Sequence, residues 1–399
     1  MYGRLIKTPV FPNLFYFKKQ KFSREIYYNT IMKILYVITS TGTGGAEKEL
    51  LLLSSAMQEQ GHQIHVVCLK PLGSIAGQMQ QQGIEVKSIY SHLPGQMVRR
   101  IKTEIENFKP DIVHAMLFRA IEYTRMACAG KDIKLVITPH FDLSKKPFFL
   151  RIFDFLLKGI DTLAVAESFS TATYLVKHQH YLENKVYLLP NGIDKTKFYP
   201  DISLREKMRK QYGFHVKTPV FICVARLAAV KDPMTLLQAF RNVWLRDSQA
   251  RLIYVGEGEE RAKLEGFIRQ AGLEKAVILA GEQKDVNAYL NMADVFVLSS
   301  LEESLPLALL EAISVGLPCI VSRVGDMPQW VTHGENGYIF PPQDITLLSC
   351  ELNLLAQDIQ MRKEMSEKSL EKATQITDSF TQYQQLYQQV LAGEFSREN

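Results

Sequence analysis

The sequence predicts an α/β protein made of two successive Rossmann-like α/β/α domains, their parallel sheets facing a central cleft. Three observations carry this. The chain of 399 residues is too long for one ordinary domain. From Met32 onward, short apolar runs alternate with helix-length segments, the pattern of a parallel sheet covered on both faces. That alternation pauses once, at LPNGIDKTKFYPD (189–201), where Pro190, Asn191-Gly192 and Pro200 supply turn chemistry, and then restarts. With 46% hydrophobic and 22% charged residues, the composition is that of a globular protein. No run approaches the roughly 18 consecutive apolar residues of a spanning helix.

Taken in order, the first unit opens with ILYVIT (34–39) and a helix from about Gly45 to Gln60. Strand runs follow at IHVVCL (64–69), IEVKSI (84–89), DIVHAM (111–116), KLVITP (134–139), TLAVAES (162–168) and KVYLLP (185–190). The second unit contributes TPVFICVAR (218–226), ARLIYVGEG (250–258), AVILAGE (276–282), DVFVLSS (294–300) and LPCIVSR (317–323). The expected division is an extension at 1–31, domains at 32–196 and 197–375, and a final helical segment at 376–399. A cleft between two such sheets is the natural ligand site, because ligands bind beyond the carboxyl ends of parallel strands.

The formal charge of +5 comes from 47 basic and 42 acidic residues, and it is unevenly placed. Residues 1–31 hold six basic residues and one acid, and the rest of the chain holds 41 of each. A neutral body argues against nucleic acid as a partner. The arm also holds eight aromatics and lacks the compact apolar core of a signal peptide. Two readings of it stand: translation begins at Met32, or a basic-aromatic segment touches an anionic membrane. The five cysteines form no CxxC pair and are odd in number, so neither a disulfide framework nor a zinc site is expected, and a reducing cytoplasm fits. Without an HExxH or an Asp-x-Asp, a metal site has no starting point, and no cofactor is expected.

Several constellations carry chemistry. After the first strand, Gly42-Thr43-Gly44-Gly45-Ala46-Glu47 lets backbone amides approach a phosphate at a helix N-terminus. As a dinucleotide fingerprint it fails, since Glu47 stands where the third glycine belongs. In the second unit, Arg226 ends a strand and Lys231 follows just before a helix, beside Gly256-Glu257-Gly258 at the next strand's end. Two cations so placed suit a diphosphate. Glu303 and Glu311 bracket SLPLALL; the second falls inside an apolar helical run, where a carboxylate needs a ligand hydroxyl or a cation. His114 and His140 end two strands of the first unit, where cleft residues lie. Finally, Lys145-Lys146-Pro147 leads into FFLRIFDFLLKGI (148–160). That segment reads either as a core helix of the sheet or as a basic-flanked helix resting on a bilayer near a lipid-linked acceptor.

Together, GGAE (44–47), LPNGID (189–194), ARL…K (225–231), VGEGEER (255–261), the two glutamates at 303 and 311, and ENGYIFPPQD (335–344) resemble, in order, the GT-B glycosyltransferases of family 4. The resemblance runs from about Met32 to the helix SFTQYQQLYQQVL (379–391), which fits a family habit of crossing back onto the first domain. It implies metal-independent transfer of a hexosyl or N-acetylhexosaminyl group, with retention, from a nucleotide-diphosphate sugar to a hydroxyl of a glycan or lipid-linked acceptor. Surface polysaccharide or lipopolysaccharide assembly is the implied setting, with a cytoplasmic protein that is peripheral on the inner membrane. Arg226 and Lys231 would clamp the diphosphate, helped by amides near Gly44 and Gly45, with Gly256 alongside. Glu303 would hold the donor sugar with the backbone amides of Ser304, Leu305, Pro306 and Leu307, and Glu311 would bind ribose hydroxyls. Backbone around Glu282–Val286 would frame the base, His140 would approach the reacting carbon, and His114 is an acceptor-side candidate. Two departures from the family pattern are Ser304 and Asp232, each in place of a common glycine. A nucleotide-sugar 2-epimerase of the same architecture and a non-catalytic nucleotide-sugar-binding protein are the alternatives.

Overall fold

The structure is a computed structural model that describes residues 30–42, 44–140, 147–376 and 379–395; the amino-terminal arm up to residue 29, and Lys145 and Lys146, lie outside it. The first domain is a seven-stranded parallel sheet of β1 (Lys33–Ile38), β2 (Gln63–Cys68), β3 (Glu85–Ser88), β4 (Ile112–Met116), β5 (Lys134–Thr138), β6 (Leu163–Ala166) and β7 (Val186–Leu188), in the order β3-β2-β1-β4-β5-β6-β7. Its helices are α1 (Gly45–Glu59), α2 (Ser74–Gln81), α3 (Pro94–Phe108), α4 (Phe118–Cys128), α5 (Phe148–Leu157) and α6 (Phe169–Lys177).

The second domain contains α7 (Ile202–Gln211), β8 (Val220–Val224), α8 (Pro233–Trp244), β9 (Arg251–Val255), α9 (Arg261–Ala271), β10 (Val277–Gly281), α10 (Val286–Met292), β11 (Val295–Leu298), α11 (Leu307–Ser314), β12 (Cys319–Ser322), α12 (Met327–Trp330), β13 (Gly337–Phe340), α13 (Ile345–Gln357) and α14 (Ile359–Ala373). Its strands run in the order β10-β9-β8-β11-β12-β13, all parallel. Both sheets therefore reverse direction of growth once, between β1 and β4 and between β8 and β11. Each reversal opens a crevice at the strands' carboxyl ends.

The predicted fold class of two parallel-sheet α/β domains matches this architecture. One strand, β13, is absent from the sequence reading. Its four residues follow the turn-rich Gly334-Glu335-Asn336, and they join the sheet through a parallel pairing with β12 that only the fold supplies. The strands are apolar throughout because both faces are covered: Ile34 to Ile38 and Val220 to Cys223 are almost wholly buried. Cys68, Cys223 and Cys319 are buried in or beside this core as free thiols.

The last helix, α15 (Ser379–Ala392), buries Tyr383, Leu386, Tyr387 and Val390, a single stripe at helical spacing. Its tyrosines bond to first-domain groups: Tyr387 Oη lies 2.7 Å from His114 Nδ1 and donates to Tyr36 Oη at 3.3 Å. By contrast, α5 is not a core helix. Phe148, Ile152, Phe153, Phe155 and Leu156 are exposed, and Asp154 is turned inward to Arg125 at 2.5 Å.

Candidate functional site

Just past β8, Arg226 is exposed and forms no ion pair among the described residues. Gly256, at the end of β9, presses against this turn with φ of 141°, and a Cβ there would sit 2.0 Å from the Ala225 carbonyl oxygen. Only glycine lets the two strand ends come so close. Lys231 ends a short helical turn and is followed by Asp232, whose φ of 44° explains why glycine is common at this place. Aspartate is accommodated because its carboxylate caps α8, accepting from Thr235 N at 3.3 Å and Thr235 Oγ1 at 2.7 Å.

The structure brings two of the expected residues into direct contact. Lys231 Nζ donates to both oxygens of Glu303, at 2.6 and 2.7 Å, and Ser300 Oγ donates to Glu303 Oε1 at 2.7 Å. The lysine expected on the diphosphate and the glutamate expected on the donor sugar are thus partners here. Such a pair keeps a buried carboxylate neutralised while the ammonium remains within reach of an incoming anion. Gly325, with φ of 52°, packs under this loop, where a Cβ would lie 2.1 Å from the Glu303 carbonyl oxygen. Ser304 has ordinary backbone angles, so the loop does not need glycine at that position.

Leu305 and Leu307 are buried, and Pro306 caps α11. One expectation needs correction: proline has no N–H, so the amides offered by 304–307 are those of Ser304, Leu305 and Leu307. Glu311 lies inside α11, where burial pushes its carboxyl up; Lys48 of α1 and Lys197 pull it back. Glu282 is exposed beyond β10, and Val286 is the buried first residue of α10, capped by Asp285.

On the first-domain side, Gly44 caps α1 and Gly45 opens it, with open space where a Gly45 side chain would stand. Glu47 folds back to accept from Ser40 Oγ at 2.5 Å. His140 follows β5 with φ of 54°, an uncommon conformation that turns its ring toward Glu49 of α1; Nε2 and Glu49 Oε2 are 3.6 Å apart. His114 is placed differently from the acceptor-side position read from the sequence. It is fully buried under α15, with Nδ1 on Tyr387 Oη and Nε2 on Thr138 Oγ1 at 2.8 Å. Burial, with the nearby charge of His140, lowers it to about 3, so it is a neutral packing group.

Other groups at this junction escaped the sequence reading. Glu167 follows β6, is almost fully buried, and is raised to about 7 by that burial, against hydrogen bonds from Thr171 and Ser304. Asp326 of the second domain accepts from Phe169 N at 2.5 Å and Ser170 N at 3.1 Å, at the N-terminus of α6. Asn191 Nδ2 donates to the Leu305 carbonyl at 3.0 Å. Asn191 stood in a quoted motif, but Glu49, Glu167 and Asp326 carry no spacing signal. Their role comes from which elements the fold juxtaposes.

Residues 43–197 match the family described as Glycosyltransferase Family 4, and residues 205–372 match Glycosyl transferases group 1. Among curated proteins, the chain is 26% identical over 358 residues to N-acetyl-alpha-D-glucosaminyl L-malate synthase of Bacillus anthracis, covering 85% of this chain and 92% of that protein. It is 36% identical over 166 residues to UDP-Gal:alpha-D-GlcNAc-diphosphoundecaprenol alpha-1,3-galactosyltransferase of Escherichia coli, covering 40% of this chain and 42% of that one. Among solved structures, Anabaena Alr3699/HepE in complex with UDP-glucose superposes with a TM-score of 0.81 at 22% identity, covering 90% of this chain and all of that one. With a Family 4 match on the first sheet, a group 1 match on the second and this shared architecture, the chain belongs to the family 4 glycosyltransferases of the GT-B fold.

Proposed function

We propose that the protein transfers a hexosyl or N-acetylhexosaminyl group, with retention and without a metal ion, from a nucleotide-diphosphate sugar to a hydroxyl of a glycan or lipid-linked acceptor. The observation that carries this reading is Lys231, paired with Glu303 and standing with Arg226 beyond β8, at the crevice where the second sheet reverses. As a diphosphate arrives, Lys231 exchanges part of its bond to Glu303 for phosphate oxygens, and Glu303 turns to donor-sugar hydroxyls. The bond from the anomeric carbon to the diphosphate breaks as the acceptor oxygen bonds on the same face. The departing phosphate oxygen takes the acceptor's proton. Positive charge held ready for that leaving group is the principal catalytic contribution, and the two side-chain cations supply the role that a metal ion has elsewhere.

The acceptor class rests on analogy with the relatives named above and on α5. Its exposed Phe148, Ile152, Phe153, Phe155 and Leu156 support contact with a membrane surface and work in surface polysaccharide or lipopolysaccharide assembly. Among the described residues, no helix is long and apolar enough to cross a membrane.

A thermal-shift panel of UDP-, GDP- and ADP-sugars identifies the donor, since a ligand of the folded state raises stability with its occupancy. With that donor, Lys231→Ala is expected to lose at least about tenfold in turnover, on the order of 1.4 kcal/mol. Full activity of that variant, loss of wild-type activity in a chelator, or an inverted anomeric product by NMR would each overturn the corresponding part of this assignment.

A further inference from the structure

Glu49 on α1, His140 after β5 and Glu167 after β6 each hold a buried atom with no hydrogen-bond partner among the described residues: Oε2, Nε2 and Oε2 respectively. Two of these face one another, His140 Nε2 and Glu49 Oε2, 3.6 Å apart, with both side chains nearly closed to solvent. That is an ion-pair separation, longer than a good hydrogen bond. A carboxylate so buried costs several kcal/mol unless it is paired, and the His140 imidazole stands opposite its free oxygen. Burial pushes the Glu49 carboxyl up, and the His140 charge is the largest influence in the opposite direction.

The other oxygen, Glu49 Oε1, accepts from Tyr383 Oη of α15 at 3.5 Å. Tyr383 Oη also lies 3.5 Å from Thr138 Oγ1, which meets His114 Nε2 at 2.8 Å; His114 Nδ1 in turn meets Tyr387 Oη at 2.7 Å. A continuous line of polar groups thus runs from α15 through the middle of β4 and the end of β5 to Glu49 and His140. The backbone at His140, with φ of 54°, gives the imidazole its direction, and the carboxylate gives it something to face. The titratable groups that act on this ring are Glu49 from α1 and His114 from β4, while Glu167 from the end of β6 and Tyr383 from α15 act on Glu49.

We propose that Glu49 is a positioning residue for His140, and that α15 sets the geometry of the pair through Tyr383. The proposal rests on the placement of His140 beside the reacting carbon, and it makes a helix that follows the second domain in sequence part of the first-domain half of the reaction centre. Aligned polar partners matter in this way because a ring displaced by about 1 Å can lose on the order of 100-fold in rate.

Two measurements test it. In steady-state kinetics, Glu49→Gln is expected to lower kcat about tenfold while the donor KM stays within about twofold, the signature of an interaction made in the transition state. Glu49→Gln combined with His140→Asn is expected to be no slower than His140→Asn alone. Multiplying effects would overturn the coupling. In the second measurement, the substrate-free protein with 15N-labelled histidine is expected to show a displaced His140 Nε2 resonance in Glu49→Gln, and a smaller displacement in Tyr383→Phe. An unchanged resonance in both overturns the contact itself. Because the spectrum needs no turnover, it separates failure of this proposal from failure of the assigned reaction. Tyr383→Phe, which removes one oxygen from a buried ring, carries the test if Glu49→Gln does not fold.

Discussion

Glu351 on α13 stands almost fully buried, far in sequence from any expected site residue, and neither of its carboxylate oxygens has a partner among the described residues. Burial, with the nearby Asp344, raises it to about 8 from an ordinary value of 4.5. The consequence for stability has a definite sign. Between those two values the unfolded chain releases the proton while the folded chain keeps it, so the folded state loses ground as pH rises from about 4.5 to about 8. Glu351→Gln removes the proton exchange and keeps the shape. Its melting temperature is expected to match the wild type near pH 5 and to exceed it by roughly 2–4 °C per kcal/mol gained at pH 8. A constant difference across that range, measured by calorimetry, would show that Glu351 does not titrate this way. Glu49 and Glu167 differ in having one oxygen bonded, to Tyr383 of α15 and to Thr171 of α6 respectively.

At the scale of elements, α5 buries Asp154 and exposes Phe148, Ile152, Phe153, Phe155 and Leu156. Arg125 of α4, itself fully buried, bonds Asp154 at 2.5 Å, Glu122 at 2.7 Å and Asp161 at 3.0 and 2.7 Å, and it reaches Tyr181 Oη at 2.7 Å. With every arm of one guanidinium occupied, the helix is fixed in direction without burying its aromatic face. Beside it, Phe148, Arg151, Ile152 and Phe155 line a shallow groove of about 240 Å³ with His178 and His180. An apolar face held rigidly at the surface is suited to a bilayer, where its burial would recover about 25 cal/mol per Å². The paired change Ile152→Ser and Leu156→Ser is expected to reduce co-sedimentation with anionic vesicles at least about threefold, with circular dichroism unchanged. Vesicle binding equal to the wild type would remove α5 as the contact.

For the molecule as a whole, the decisive contacts are those between the domains. Asp326 joins the second domain to the first through the amides of Phe169 and Ser170, and Asn191 ties the connection at 189–201 to the Leu305 carbonyl. These bonds converge on the loop that carries Glu303, since Asp326 N donates to the Ser304 carbonyl at 2.8 Å. The contact between the domains and the shape of the loop at 303–305 therefore share one residue, Asp326. Asp326→Asn keeps the size but gives up the charge that strengthens two amide bonds, a loss on the order of 1–2 kcal/mol. The expected result is a larger radius of gyration by small-angle scattering and a lower turnover, with secondary structure intact. Identical scattering and turnover would show that the domains are held elsewhere.

Much of this was legible from residue order. Apolar runs of five or six residues separated by helix-length segments imply buried parallel strands, because strands covered on both faces need no polar alternation; β1 and β8 are clear instances. Gly256 was legible as the end of a strand, but its need to be glycine comes from the approach of the Ala225 carbonyl, which only the fold supplies. Less legible was β13, whose four residues become a strand only by pairing with β12. His114 misled because it is the middle residue of β4 and not its end, and α15, about 270 residues later in the chain, covers the face it points to. The α5 segment stayed ambiguous because its composition suits both burial and exposure, and Arg125 settles its orientation through Asp154. By itself the sequence determined the two-sheet plan and singled out Arg226, Lys231, Glu303 and Glu311, since periodicity and residue chemistry are local properties. The tertiary structure alone decided that Lys231 answers Glu303, that His140 faces Glu49 and that Asp326 meets the amides at the N-terminus of α6, because a buried charge is defined by neighbours that sequence distance does not reveal.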